Sequence, residues 1–247
     1  MSRRFFVIHE ARADFDLATE LADRVMIFEV AWLDESLLDS QRTWIGEALT
    51  WKSIPERARE LGIRVHGHFD GEPGQADAAA ARRAILYLLR QHDPVEAILL
   101  IRDQDDQPER RKGLEQARKA SETQVRVVIG LAIPERECWV LCGFDPRDDA
   151  ERMSLDAERQ NLGFHPCRES HQLTACKDDR AKRSPKRVHR ELIGANWERE
   201  KECWTATPLP VLAERGLANG LKDYLEEIKD RLVPLITGPE EHRRDQG

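Results

Sequence analysis

The sequence predicts an α/β fold: a mainly parallel sheet flanked by helices, followed by a helical C-terminal extension. Short continuous apolar runs have the length and composition of buried strands, as in residues 5–8 and 97–101. Stretches with apolar residues at helical spacing lie between these runs, and strands that alternate with helices favour a parallel sheet. The chain has 247 residues, of which 40% are hydrophobic, so it is long enough to bury a sizeable core.

The first half of the chain begins with a predicted strand at residues 3–9, which ends at Glu10. A helix should follow, with Asp14 as its N-cap, because apolar residues recur at helical spacing from Phe15 to Val25. Residues 26–33 are predicted as a second strand, and residues 36–61 as part of a charged, tryptophan-containing helical insertion at about 34–62. Residues 63–69 alternate between apolar and polar side chains, as expected for a strand.

The clearest β-α-β pattern comes next. A helix is predicted at residues 76–91, a strand at 96–102, a helix at 109–121 and a strand at 125–131, with another helix beginning after Pro134. Beyond residue 143 the chain is polar and then basic, and residues 209–236 are predicted as a closing amphipathic helical region. We therefore expect an α/β catalytic domain at 1–143, a mostly helical basic extension at 144–237 and a flexible tail at 238–247.

The composition of the chain excludes some classes of function. The chain has 39 Lys and Arg against 46 Asp and Glu, a net charge of −7, which excludes a uniformly basic nucleic-acid binder. Its apolar runs are shorter than a membrane helix requires, and the N-terminal residues do not resemble a signal peptide, so a cytoplasmic protein is expected. The five cysteines are odd in number and widely spaced, which predicts free thiols.

Acidic residues follow several predicted strands. Asp103 and Asp105 come directly after the strand at 96–102, and residues two apart in an extended chain point to the same side. Glu10 follows the first strand, and Glu135 and Glu137 follow the strand at 125–131. Because the carboxyl ends of parallel strands meet at one edge, these carboxylates indicate a site for Mg²⁺ or Mn²⁺. The alternative is that the aspartates form a polar loop before the next helix and that the glutamates favour a helix N-terminus.

The order of these acids resembles the Toprim domain of topoisomerases, primases and nucleases of the overcoming-lysogenisation-defect type. Glu10 and Asp14 match the start of that domain, although Ala11 replaces its usual glycine, and Asp103-x-Asp105 matches its second motif. The segment Glu135-Arg-Glu137-Cys-Trp139 is similar to one in uncharacterised bacterial Toprim-like proteins. The resemblance covers about residues 3–142 and implies a Rossmann-like Toprim fold.

The resemblance also implies the roles of these residues. Glu10 would be a metal ligand or a general acid or base, Asp103 and Asp105 would be metal ligands, and either Glu135 or Glu137 would add a ligand from the third strand. Topoisomerases also need a catalytic tyrosine from another domain, whereas this chain has only Tyr87 and Tyr224, both in helical patterns. The expected activity is therefore a Mg²⁺-dependent nuclease that hydrolyses DNA or RNA, as the catalytic subunit of a bacterial anti-phage defence system.

The remaining sequence indicates which partners the protein is expected to bind. No phosphate-binding loop of the Gly-x-x-x-x-Gly-Lys type and no Gly-x-Gly-x-x-Gly motif occurs, so any ATP use would belong to a separate ATPase partner. Residues 177–190 carry seven cations and two acids, a net charge of +5. Lys182, Arg183, Lys186 and Arg187 could therefore hold a nucleic-acid backbone, although a solvated surface would have the same composition. Self-association into a homo-oligomer is compatible with the sequence.

Two other functions stay open. One is a phosphohydrolase similar to the haloacid-dehalogenase group, with Asp103 as nucleophile and Asp105 as acid. That group normally begins with its Asp-x-Asp strand, whereas here about 100 residues come first. The other is a non-catalytic, metal-stabilised binding subunit of a defence complex, in which the acids only anchor a cation.

Overall fold

The computed structural model describes residues 2–238. The strands, in chain order, are β1 (Arg3–Ile8), β2 (Arg42–Ile45), β3 (His68–Phe69), β4 (Glu72–Pro73), β5 (Ala97–Asp103) and β6 (Arg126–Ala132). The helices are α1 (Arg12–Glu29), α2 (Glu35–Gln41), α3 (Ile54–Glu60), α4 (Ala78–Gln91), α5 (Arg110–Lys119), α6 (Glu137–Cys142), α7 (Asp149–Leu162), α8 (Pro185–Leu192), α9 (Trp197–Thr205), α10 (Leu209–Arg215), α11 (Leu221–Arg231) and α12 (Val233–Thr237). None of the helices within residues 2–238 is long and apolar enough to cross a membrane.

The chain folds into two compact units. The first consists of the described parts of Met1–Arg102, Gln107–Gly130 and Tyr224–Gly247, and the second of Asp103–Asp106 and Leu131–Asp223. Each unit therefore draws on separated stretches of the chain, whereas the predicted division at residue 143 follows chain order. The predicted flexible tail lies, except for Gly238, outside the described residues.

A four-stranded sheet organises the first unit, with the strand order β2-β1-β5-β6. Strand β1 pairs in parallel with β2, where Phe5 lies opposite Trp44, and with β5, where Phe5 lies opposite Ala97. Residues 5–8 are fully buried, as a strand with helices on both faces requires. The prediction of an α/β fold with a mainly parallel sheet is confirmed. The last residues of β5 and β6 belong to the second unit.

The second strand of the chain is not where the sequence predicted it. Residues 26–29 are helical because α1 keeps its buried face through Val25 and Met26 and ends only at Glu29. The strand is instead β2, within the segment predicted as a helical insertion. In β2, the Arg42 guanidinium donates hydrogen bonds of 2.7 and 2.6 Å to the Asp23 carboxylate. This ion pair lets a polar residue occupy a buried strand position, which no hydrophobic pattern would reveal.

Several smaller predictions are corrected at element boundaries. Asp14 is not an N-cap, because α1 begins at Arg12; its carboxylate lies in the first turn and accepts the backbone N–H groups of Ala11 and Glu10. The predicted strand at 63–69 is reduced to β3, which pairs antiparallel with β4. Helix α6 begins only at Glu137, so Glu135 precedes it. The predictions for α4, β5, α5 and β6 are confirmed to within about two residues.

The second unit is mostly helical. Trp139 on α6 and Trp204 on α9 are almost completely buried in it. Helix α6 contacts both α8 and α9, and its C-cap Gly143 lies so close to Cys203 that an added Cβ would come within 1.7 Å of the Cys203 carbonyl oxygen. All five cysteines are free, as predicted. The tight packing of α6 fixes the segment that follows β6, where the acidic residues lie.

Candidate active site

The loop that follows β5 is hydrogen-bonded to the end of β6 and to the segment after it, within the second unit. The backbone N–H of Gln104 donates to the Ala132 carbonyl at 2.7 Å, and that of Asp105 donates to the Pro134 carbonyl at 3.0 Å. Asp105 has a φ of +51°, a left-handed conformation that is strained for a residue with a side chain. These bonds place the Asp103-x-Asp105 segment beside the segment that carries Glu135 and Glu137, as the sequence predicted for neighbouring strand ends.

Glu135 is the most unusual acid of this group, because it is only 5% exposed. One carboxylate oxygen, Oε1, lies 3.6 Å from Lys186 Nζ, whereas the buried Oε2 has no hydrogen-bond partner among the described residues. Burial raises the pKa of Glu135 to about 7; the Lys186 charge opposes this rise, and the Glu137 and Asp105 charges add to it. The group therefore changes its protonation state near neutral pH.

Helix α8 brings the positive charge of Lys186 to the acidic cluster, by which we mean Asp103, Asp105, Glu135 and Glu137. Its ammonium group lies 3.6 Å from Glu135 and 3.7 Å from Asp179. Burial by itself lowers the pKa of Lys186, but the surrounding carboxylates, with Glu135 and Glu137 the strongest, raise it above its usual value. Lys186 therefore stays protonated and compensates part of the negative charge.

Arg136 connects the acids to a second polar group. Its backbone N–H donates to Asp103 Oδ1 at 2.8 Å, and its Nη2 lies 3.8 Å from Glu137 Oε1. The guanidinium also donates to Glu200 at 2.5 Å, while His189 Nε2 lies 3.3 Å from the other oxygen of Glu200. The pKa of Glu200 is lowered to about 2, because His189 and Arg136 outweigh the opposing effect of burial.

Three residues of this network were not predicted from the sequence: Arg136, His189 and Glu200. Arg136 lies between two predicted site residues, so its position could have indicated a charge partner. His189 and Glu200 come from α8 and α9, more than 50 residues from Arg136, and only folding brings them together. Together with Arg136 they form an ordered polar network that keeps the loop after β6 in place.

Glu10 lies in the first unit, at the end of β1. Its carboxylate is 3.5 Å from the Arg102 guanidinium, which also donates to Asp77 at 3.0 Å. The negative charge of Glu10 is therefore partly balanced within this unit. That Glu10 acts together with Asp103 and Asp105 stays a prediction.

The four cations predicted to bind nucleic acid differ in their surroundings. The Arg187 guanidinium donates to both carboxylate oxygens of Glu158, at 2.9 and 2.7 Å, and Lys186 lies beside the acidic cluster. Arg183 lies over the Phe164 ring, and Lys182 is exposed. Arg187 thus has a structural partner that the sequence did not indicate. Nucleic-acid binding by the segment stays a prediction, with Lys182 and Arg183 its most accessible members.

The carboxylates of this site are oxygen ligands of the kind that a divalent cation such as Mg²⁺ requires. Within residues 2–238, no group of three or more His, Cys, Asp or Glu side chains is placed so that it could hold a metal ion. However, Mg²⁺ is usually held by only one or two protein carboxylates and takes its other ligands from water and substrate phosphate. A buried carboxylate oxygen without a partner, as in Glu135, is a hard ligand of the required kind. That these carboxylates hold a cation, with a substrate supplying further ligands, stays a prediction.

Comparisons with known proteins identify no relative: no family model, no curated protein and no solved structure matches the chain. The Toprim resemblance therefore rests on the short motifs of the sequence, and membership of that family stays a prediction. The burial and the hydrogen bonds described for the second unit do not depend on this resemblance.

Proposed function

We propose that this protein is a Mg²⁺- or Mn²⁺-dependent nuclease that hydrolyses phosphodiester bonds at the acidic cluster of the second unit. The proposal rests mainly on the surroundings of Glu135. This buried carboxylate has one unpaired oxygen and lies beside Glu137, Asp105 and Lys186. A buried charge without full compensation is costly, so such groups are concentrated at functional sites. The proposal also agrees with the motif order Glu10, Asp103-x-Asp105.

The protonation behaviour of Glu135 suits hydrolysis. With a pKa of about 7, it is partly protonated at neutral pH and can accept a proton from water or donate one to a leaving oxygen. Lys186 would bind a phosphate oxygen, and Arg136 would keep Asp103 and Glu137 in place. A cation held by one or two of the neighbouring carboxylates, such as Asp105 or Glu137, would supply Lewis-acid polarisation of the phosphate.

The experiment is a cleavage assay with single-stranded and double-stranded DNA and RNA, in Mg²⁺, Mn²⁺ or EDTA. We expect Glu135→Gln and Asp105→Asn to reduce the rate by about 100-fold or more. Glu214→Gln is the matched control, because Glu214 is an exposed glutamate of the same unit. Cleavage that persists in both variants, or that is insensitive to EDTA, would exclude this site.

The same assays, with an Asp103→Asn variant added, distinguish the two alternative functions. Phosphatase activity that is lost in Asp103→Asn and proceeds through a phosphorylated aspartate would favour the haloacid-dehalogenase mechanism. Cation binding with no cleavage of any substrate would favour the binding subunit. The separate ATPase partner and the role in anti-phage defence stay predictions. Because the chain could need such a partner for activity, the assay should be repeated in the presence of any protein that co-purifies with it.

A further inference from the structure

A second site of concentrated charge lies in the first unit, around the segment that joins α3 to α4. Two neighbouring cavities of about 530 and 270 Å³ share Arg64, Val65 and His66 as lining residues. The volume of the larger cavity is in the usual range for small-molecule sites. We call the combined lining of these two cavities the arginine groove.

The charge of the larger cavity of the arginine groove is one-sided. Arg59, Arg64 and Arg83 line the larger cavity, no acidic side chain lines it, and none of the three forms an ion pair within residues 2–238. In the smaller cavity, Arg82 donates to the Ser121 hydroxyl rather than to a carboxylate. Asp70 also lines the smaller cavity, where its carboxylate lies 2.8 Å from the ammonium group of Lys119. In a protein with a net charge of −7, three cations without acidic partners around one cavity create a local positive potential.

The wall of the groove is held in place by backbone hydrogen bonds. The Ile63 N–H donates to the Ala58 carbonyl at 2.9 Å, and Gly74 N–H donates to the Gly67 carbonyl at 2.8 Å. The Arg90 guanidinium donates to the Leu61 carbonyl at 2.8 Å. A wall fixed in this way needs little ordering when a ligand binds, which lowers the entropic cost of binding.

We propose that the arginine groove binds a phosphate-bearing ligand, either a free nucleotide or a nucleic-acid strand. Guanidinium groups match phosphate oxygens in charge and in paired hydrogen-bond geometry. Pro55, Ile63 and Val65 provide an apolar surface on which a base can lie. This inference does not rest on the proposed nuclease activity, because no acid of the candidate active site lines the groove.

The test is calorimetric titration of the full chain with three probes: inorganic phosphate, adenosine monophosphate and a short single-stranded DNA. The groove variant carries Arg59→Gln, Arg64→Gln and Arg83→Gln. The matched control carries Arg57→Gln, Arg126→Gln and Arg152→Gln, which change the net charge equally but do not line the groove. Thermal unfolding of both variants verifies that they are folded. The titrations contain EDTA, so that cleavage does not contribute.

We expect affinity for at least one probe to fall by about tenfold or more in the groove variant and to change less than about twofold in the control. Groove-dependent binding of the monophosphate identifies a nucleotide site, whereas groove-dependent binding of DNA alone identifies a strand site. Equal weakening in both variants would show general electrostatic attraction and overturn the proposal. Absence of binding of every probe to the unmodified protein at low salt would overturn it as well. Neither result depends on whether the chain cleaves nucleic acid.

Discussion

Replacing Glu135 with Gln is expected to stabilise the protein at neutral and alkaline pH and to have little effect in acid. The folded state raises the pKa of this carboxyl group from 4.5 to about 7. Below about pH 4 the group is protonated in both the folded and the unfolded state, so it contributes no difference. As the pH rises towards 7, the unfolded state loses the proton first, and stability falls. Above about pH 7 the folded protein carries the full cost of a buried carboxylate.

The size of the effect follows from the same values. At about 1.36 kcal/mol for each unit of pKa, a change from 4.5 to about 7 corresponds to about 3 kcal/mol. The Glu135 side chain is only 6% exposed, so solvent screens little of this cost. The favourable charge of Lys186 is already included in the net pKa. Glutamine keeps the shape of the protonated acid, so Glu135→Gln should gain up to about 3 kcal/mol at pH 8.

The assay is urea unfolding of both proteins between about pH 4 and pH 8, with EDTA present so that no cation binds. The difference in unfolding free energy should grow through this interval and level off above about pH 7. Glu214→Gln, at an exposed position, should show no such growth. A difference that is independent of pH, or a variant that is less stable at pH 8, would refute the account of Glu135 as a buried acid with an uncompensated charge.

Two further substitutions test the packing of the second unit. Arg187→Ala should lower the unfolding free energy by about 2 kcal/mol, because it leaves the Glu158 carboxylate, 11% exposed, without its paired guanidinium. The control is Arg183→Ala, at an exposed residue, which should lower the unfolding free energy by less than about 1 kcal/mol. Equal losses in the two variants would argue against the contact between Arg187 and Glu158. Gly143→Ala should cost about 3 kcal/mol because its Cβ would meet the Cys203 carbonyl. Gly67→Ala, where a Cβ meets nothing, is the control, and a Gly143→Ala protein as stable as this control would disprove the close approach.

Part of the fold could be predicted because its signals are local. Strands β1 and β5 are continuous apolar runs, and α4 and α5 have apolar residues at helical spacing, so periodicity is enough to locate them. Strand β2 could not be found in this way. Its buried Arg42 depends on Asp23, 19 residues earlier in the chain, and a long-range ion pair has no periodic signal.

For the candidate site, the sequence by itself determined which acids follow the buried strands: Asp103, Asp105, Glu135 and Glu137. Strand ends are local features, and parallel pairing brings them to one edge. Only the tertiary structure decided how these acids differ. Glu135 is buried with an unpaired oxygen, and Arg136 fixes Asp103, because helices α8 and α9 bring Lys186 and Glu200 into contact with this segment. Burial and charge compensation depend on neighbours distant in the chain, so no spacing of residues along the sequence can specify them.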